Sequence, residues 1–270
     1  MSHEMPSPNS PLDESRLPAA LESAVHLFQG NDREFFHRVW QTDLDVYRAR
    51  LGALGMCGLG RVLDAGSGMG QWTVCLAEAN EEVYGVDLDP DRVRAATMVA
   101  DALGLRNVRM SCQALEQLGY ADESFDAIFS YGVLMLTDYR KVITEFFRVL
   151  RPGGRLYIVS SGVGWYVYNI LQPHNRSSNW DPRRMALETI GNTLAFAATG
   201  RRHRGRQLIV PSRRLARELK AAGFEQVMVG GEGTLHVSSD HVPRSFFRSR
   251  YYGLEGAYEL LAYKLTRGAA

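Results

Sequence analysis

The sequence predicts an α/β fold: a Rossmann-like, mainly parallel sheet of seven strands with helices on both faces, N-terminal helices and a helical cap insertion. Three observations predict it. From Arg61 onward, short apolar runs alternate with amphipathic stretches of helical period, the pattern left by right-handed βαβ crossovers. A glycine loop, Gly66 to Gly70, sits between the first such run and the first such helix, where a Rossmann unit makes its turn. The alternation then breaks once, from Gly162 to Pro211, and resumes.

The first residues, rich in Pro and Ser, read as a disordered tail over residues 1–16. Pro18 opens a short helix stopping at Gly30. Asn31 and Glu34 have the spacing of a capping box, and Phe35, Phe36, Val39, Trp40, Leu44, Tyr47, Leu51 and Leu54 then trace one face of a single helix toward Leu54. Residues 17–60 thus form an N-terminal helical segment. The core runs over residues 61–161. Its strands are expected at 61–65, 83–87, 108–111, 125–130 and 155–160, and its helices at 71–80, after Asp89-Pro90 to Gly104, and at 138–150, the last closed by Pro152-Gly153-Gly154. Residues 162–211 read as the cap, aromatic at its start (Trp165, Tyr166, Tyr168), helical over 182–198 and basic at its end. Residues 212–270 complete the core, with a helix at 212–222 and strands at 224–229 and 258–265.

Composition excludes several classes. The chain has 270 residues, 45% hydrophobic and 23% charged, with a net charge of +1. That is ordinary globular composition without a global field for nucleic acid or an acidic membrane. Cys57, Cys75 and Cys112 form no CxxC, so neither a disulfide framework nor a thiolate zinc site is expected, and a reducing, cytoplasmic setting fits. The start lacks the basic and apolar regions of a secretory signal, and no apolar run reaches membrane-spanning length, so no membrane association is expected. The histidines show no HxxxH spacing, so no metal is expected. Ser161-Gly162 lacks the serine-hydrolase elbow.

The most informative stretch is Val62-Leu63-Asp64-Ala65-Gly66-Ser67-Gly68-Met69-Gly70. Its glycines permit a tight turn and expose bare backbone to a ligand, and the following helix offers free N–H groups. They read GxGxG and not GxGxxG, so the third is misplaced for a dinucleotide fingerprint. Asp64 precedes the loop, where a pyrophosphate would be repelled but an amino group or sulfonium attracted. Asp87 ends the second strand, 17 residues beyond Gly70, where a carboxylate accepts ribose hydroxyls.

These motifs, from Arg61 to Ser160, resemble the class I S-adenosylmethionine-dependent methyltransferases. Asp64-Ala-Gly-Ser-Gly-Met-Gly70 is similar to the family's first motif and Gly85-Val-Asp87 to its second. Gln113-Ala-Leu-Glu-Gln-Leu118, Asp122-Glu-Ser-Phe-Asp126 and Arg148-Val-Leu-Arg-Pro-Gly-Gly154 are similar to those that follow. The resemblance implies S-adenosyl-L-methionine as cofactor and S-adenosyl-L-homocysteine as product. It implies that Gly66, Ser67, Gly68 and Gly70 shape the cofactor loop, that Asp64 meets the methionine amino group, and that Asp87 holds the ribose with Leu88 against adenine. Gln113 and the Ala114-Leu115 stretch would face the adenine edge, and Ser130 and Tyr131 would flank the methionine. Two departures stand out. Gln113 occupies a place where the family often has Asp, and Val133-Leu-Met-Leu136 replaces a His-rich stretch.

The resemblance implies methyl transfer to a small-molecule acceptor, at oxygen or nitrogen, with specialised metabolism as a setting. Tyr166, Tyr168 and His174 are the candidates for acceptor contact or base, with His236, His241 and Tyr47 behind them. The run Arg201-Arg-His-Arg-Gly-Arg206 with Arg213, Arg214, Arg217 and Lys220 would suit RNA. No Asn- or Asp-Pro-Pro-aromatic tetrapeptide and no Pro-Cys nucleophile accompanies it, and a solvated basic face is the plainer account. A non-catalytic, cofactor-binding regulator is the other alternative.

Overall fold

The structure is a computed structural model and describes residues 12–172, 180–203, 205–237 and 244–266. The chain gathers into two compact units. One holds residues 1–114 with 125–127 and 236–243, and the other holds 115–124, 128–235 and 244–270.

In the first unit the N-terminal helices are α1 (Leu17–Val25), α2 (Gly30–Trp40) and α3 (Leu44–Ala53). The single helix expected up to Leu54 is therefore two. The apolar period runs on through the break, but Asp43 caps a new start, its Oδ1 accepting from Asp45 N at 2.9 Å. The Asn31 capping box does not form: Gln29 is the N-cap of α2 and gives no side-chain bond. Residues 12–16, expected in the tail, include a 3₁₀ turn at Glu14–Arg16, and Glu14 accepts from Arg48 Nη2 at 2.6 Å. Then come β1 (Arg61–Ala65), α4 (Gln71–Ala79), β2 (Glu82–Asp87), α5 (Pro90–Ala102) and β3 (Val108–Cys112). β1 pairs with β2 and β2 with β3, all parallel, in a register that sets Asp64 beside Gly85 and Asp87 beside Cys112. Asp89 caps α5 through Asp91 N and Arg92 N, as its place before Pro90 predicts. Arg48 of α3 grips Glu78 of α4 with two guanidinium nitrogens, at 2.8 and 3.0 Å.

β4 (Phe125–Tyr131) follows β3. The second unit continues with α6 (Tyr139–Val149), β5 (Leu150–Ser161), α7 (Val163–Leu171), α8 (Pro182–Thr199), α9 (Ser212–Ala221), β6 (Glu225–Gly231), a hairpin of β7 (Arg250–Tyr251) and β8 (Leu254–Glu255), and β9 (Ala257–Tyr263). α6 buries Tyr139, Val142, Ile143, Phe146 and Val149, a helical stripe against the sheet side. β9 runs antiparallel to both β5 and β6. Its Glu259, fully buried, accepts from Tyr157 Oη on β5 at 2.6 Å and from Thr234 N beyond β6 at 2.8 Å, so one carboxylate ties three neighbouring segments. The sheet order is β3-β2-β1-β4-β5-β9-β6. This is the expected seven-stranded, mostly parallel Rossmann-like sheet, with β9 as its antiparallel member.

Pro152-Gly153-Gly154, expected to end a turn before the strand, lies inside β5. Gly153 N donates to Lys264 O and Lys264 N to Gly154 O, so the chain after β9 supplies the pairing that a sequence reading does not see. Among the described residues no helix is long and apolar enough to cross a membrane, and no three His, Cys, Asp or Glu side chains cluster to hold a metal.

Candidate cofactor site

In the first unit β1 delivers Asp64 into the interior, 1% exposed, beneath the glycine loop. Its Oδ2 accepts from Thr73 Oγ1 on α4 at 2.6 Å. Burial pushes its carboxyl up to about 7; the Thr73 bond works against that shift and the nearby Asp87 adds to it. The loop above is left-handed at each glycine, with φ of 83°, 56° and 87° at Gly66, Gly68 and Gly70. Gly66 N and Ser67 N donate to Val86 O at 2.8 and 2.9 Å, which ties the loop to β2. The loop face is open at Gly68, where an added Cβ would meet nothing nearer than Gly66 O at 4.0 Å. At Gly70 the reason for glycine is packing: a Cβ would stand 2.7 Å from the Ala96 Cβ on α5. The third glycine, displaced by one from a dinucleotide pattern, thus still seats a close helix contact.

Asp87 closes the cradle. Its Oδ2 accepts from Gly68 N and its Oδ1 from Asp89 N, both at 3.0 Å. Beside it Leu88 is 72% exposed, an apolar side chain held in the open. Gln113 N donates to Asp87 O at 3.0 Å and Gln113 Nε2 to Ser111 Oγ at 2.8 Å, while Ala114 is half-buried. Ser67 Oγ is buried without a hydrogen-bond partner among the described residues.

The second unit holds the other predicted contacts. Leu115 is buried. Ser130, on β4, is fully buried and its Oγ has no partner among the described residues. Tyr131 Oη donates to Glu232 Oε1 at 3.0 Å. Glu232 follows β6, is 1% exposed, and also accepts from Ser245 Oγ, Phe246 N and Phe247 N at 2.8, 2.8 and 3.1 Å.

A buried carboxyl that resists ionisation and accepts from Thr73 suits a ligand's ammonium. An open left-handed loop, an orphaned serine hydroxyl, a strand-end carboxylate and an exposed leucine suit an adenosyl group. The residues present therefore fit S-adenosylmethionine.

Comparison with known proteins agrees. Residues 63–158 match a family model described as a methyltransferase domain. The demethylmenaquinone methyltransferase of Geobacillus stearothermophilus is 35% identical over 98 residues, 35% of this chain and 42% of that protein. A ubiquinone/menaquinone biosynthesis C-methyltransferase of Syntrophotalea carbinolica is 38% identical over 111 residues, 39% of this chain and 46% of that protein. The chain thus spans less than half the length of the curated relatives it matches. Among solved structures, a geranyl diphosphate methyltransferase in complex with S-adenosylmethionine aligns with a TM-score of 0.55 at 18% identity, over 90% of this chain and 95% of that one. That likeness shows the fold. Residues 63–158 are a class I S-adenosylmethionine-dependent methyltransferase domain.

The residues expected outside the methyltransferase domain stand as follows. Tyr166 on α7 is fully buried and donates to Gln207 Oε1 at 3.0 Å, and burial pushes its phenol well above the ordinary value. This is a core tyrosine of the cap, poorly suited to act as a base. Tyr168 is half-buried, its ring 4.5 Å from that of Tyr251. His174 and His241 lie outside the described residues, and His236 is exposed. Tyr47 is 3% exposed, its hydroxyl on Val39 O at 2.8 Å and its ring against Trp72, so it serves helix packing. In the basic run, Arg202 sits 3.9 Å from Glu116, Arg206 3.7 Å from Glu188 and Arg214 3.9 Å from Glu218. These arginines are partly neutralised by the protein's own acids. Glu232 and the hairpin residues were not singled out from sequence; a lone acid after a strand and a Tyr-Gly pair carry no motif.

Proposed function

We propose that this protein transfers the methyl group of S-adenosylmethionine to a small-molecule acceptor, with S-adenosylhomocysteine as product. The observation that carries the reading is the Asp64 carboxyl, buried beneath an open glycine loop and reluctant to ionise until a cation arrives. Asp64 would receive the ligand's amino group and Asp87 its ribose hydroxyls, in exchange for the Gly68 and Asp89 N–H bonds it now accepts. Leu88 would cover one face of the adenine, and Gln113 would offer its amide to the adenine edge. Ser130 and Tyr131 would border the methionine part.

When bound, the sulfonium supplies a methyl that is already activated. The chain's task is then alignment: an acceptor atom held in line with the carbon–sulfur bond at about 3 Å, in a site emptied of water. An amine or a stabilised carbanion needs little more, while a hydroxyl acceptor benefits from a base. Oxygen and nitrogen were the atoms expected from sequence; a relative named a C-methyltransferase supports carbon as a third. The pairing of Arg202, Arg206 and Arg214 with acids supports a small molecule over nucleic acid. The cysteines, all free and with Cys75 buried, support a reducing, cytoplasmic setting.

The test is calorimetry with S-adenosylhomocysteine, followed by transfer of a labelled methyl group into extract metabolites. Heat with a one-to-one stoichiometry and label in a small, protease-resistant product are expected. Tight binding of a nicotinamide or flavin nucleotide with no heat from S-adenosylhomocysteine would overturn the reading. Heat without any label would favour a regulatory binding protein.

A further inference from the structure

α7 leaves the carboxyl end of β5, and the β7–β8 hairpin enters β9 at the same end, because Ser161 pairs with Ala257. Ligands of open α/β sheets bind at this edge. Between helix and hairpin lies a pocket of about 460 Å³ lined by Tyr168, Gln172, Arg248, Arg250, Tyr251 and Tyr252. Three features give it a chemistry.

The first is its rings. Tyr168 meets Tyr251 at 4.5 Å, Tyr252 at 6.3 Å and Trp165 at 6.3 Å between ring centres. Such clustered aromatic faces favour a flat ligand by offset stacking. The second is charge. Arg248 and Arg250 both lie on the pocket wall and are exposed, and among the described residues neither forms an ion pair. Arg250 Nη1 donates to Gly253 O at 2.9 Å, which fixes its fork against the turn. An aromatic cage alone would suit a quaternary ammonium, but two guanidinium groups on its rim repel one. They favour a carboxylate or phosphate, which the planar fork can hold with two bonds.

The third feature is backbone strain. The hairpin turns through Tyr252 and Gly253, with φ of 51° and 76°, so both central residues are left-handed. That is a turn whose first place suits Asn, Asp or Gly. A tyrosine there is an outlier, and such strain is retained mainly where the side chain serves a binding role. Here the strained residue places its ring on the pocket wall beside Tyr168.

We propose that this pocket binds a planar conjugated acid, its ring stacked on the outer face of the Tyr168–Tyr251–Tyr252 cluster and its anionic group on Arg248 and Arg250.

The test titrates the full chain, without cofactor, with 2-naphthoate, 2-naphthamide and (2-naphthylmethyl)trimethylammonium, followed by naphthalene fluorescence. Naphthoate should bind about tenfold tighter than the amide, the scale of one or two charge-assisted hydrogen bonds, and the ammonium no tighter than the amide. Arg248→Ala should bring naphthoate to the level of the amide; Arg248→Lys, which keeps the charge, should restore part of the preference. Tyr252→Asn puts a residue tolerant of the left-handed region into the turn. Its melting temperature should match or exceed that of the unaltered chain while affinity for naphthoate falls several-fold. Equal binding of naphthoate and amide, an intact preference in Arg248→Ala, or unchanged affinity in Tyr252→Asn would overturn the proposal. Calorimetry with S-adenosylhomocysteine on the same preparation separates the two readings. Heat without a naphthoate preference sinks the pocket proposal alone, and a naphthoate preference without heat sinks the methyltransferase reading alone.

Discussion

Replacing Asp64 with Asn removes the carboxyl proposed to receive the cofactor's amino group. In the folded chain without ligand the Asp64 carboxyl is pushed up to about 7 from an ordinary value of 3.8, chiefly because it is buried. Below about 3.8 the group is protonated in both folded and unfolded chains and contributes no pH dependence. As pH rises toward 7 the unfolded chain ionises first, so stability is lost across that window and levels off above it. About three units at about 1.4 kcal/mol each make the loss about 4 kcal/mol. Full burial leaves little solvent screening to reduce it.

Asn cannot ionise. Its amide can still accept from Thr73, but it buries an N–H₂ group, a pH-independent penalty of about 1–3 kcal/mol. The informative quantity is therefore the difference in melting temperature between variant and unaltered chain, followed from pH 4 to pH 8. The constant penalty cancels from its change. For a chain of this size about 1 kcal/mol moves the midpoint by about 2 °C, so the difference should shift by about 8 °C in favour of the variant. Differential scanning fluorimetry reads this directly. In the same samples S-adenosylhomocysteine should raise the midpoint of the unaltered chain more at pH 8 than at pH 6, because an ammonium holds the carboxylate ionised. The variant should lose about tenfold in affinity, the scale of one charged hydrogen bond. A difference that stays flat from pH 4 to pH 8 would refute the claim that Asp64 is a carboxyl kept neutral by burial.

Gly70→Ala combines a left-handed backbone with a contact of 2.7 Å to Ala96, and should destabilise by about 2–3 kcal/mol in urea unfolding. Tyr166→Phe removes the bond to Gln207 and should lower stability by about 1 kcal/mol while methyl transfer stays within about twofold; loss of turnover in a folded variant would reinstate Tyr166 as a base. Glu232→Gln leaves its ring of donors with a poorer acceptor, and should cost about 1.5–3 kcal/mol in thermal unfolding.

The parts of this structure that were legible in the sequence are those whose cause is local. β1 was placed at Arg61–Ala65 because a short apolar run before glycines has few other conformations open to it. The start of α5 was placed because Asp89-Pro90 is both cap and first turn. The break between α2 and α3 was missed because Leu44, Tyr47 and Leu51 continue an apolar period across it, and period cannot distinguish one helix from two that bury the same side. The strand through Pro152-Gly153-Gly154 was missed because its pairing comes from Lys264, far along the chain.

The same distinction divides the site. The proposed cofactor contacts read from sequence because Asp64, the glycines and Asp87 lie within one βαβ turn, where spacing along the chain fixes spacing in space. The pocket proposed beside α7 does not, and neither does the Tyr131–Glu232 bond, because their groups converge from distant segments. Tyr131 meets Glu232 across 101 residues of chain, and Tyr168 meets Tyr251 and Tyr252 only once the hairpin folds back onto α7. No spacing rule connects such pairs. What marks them instead is a local choice that makes no sense locally: a tyrosine in a turn position suited to asparagine, and a glutamate buried after a strand among backbone N–H groups. Each is unfavourable as a local element, and each becomes reasonable once its distant partner is in place. Conflict between local propensity and observed conformation is therefore the signal to search for when the acceptor side of such a chain is unknown.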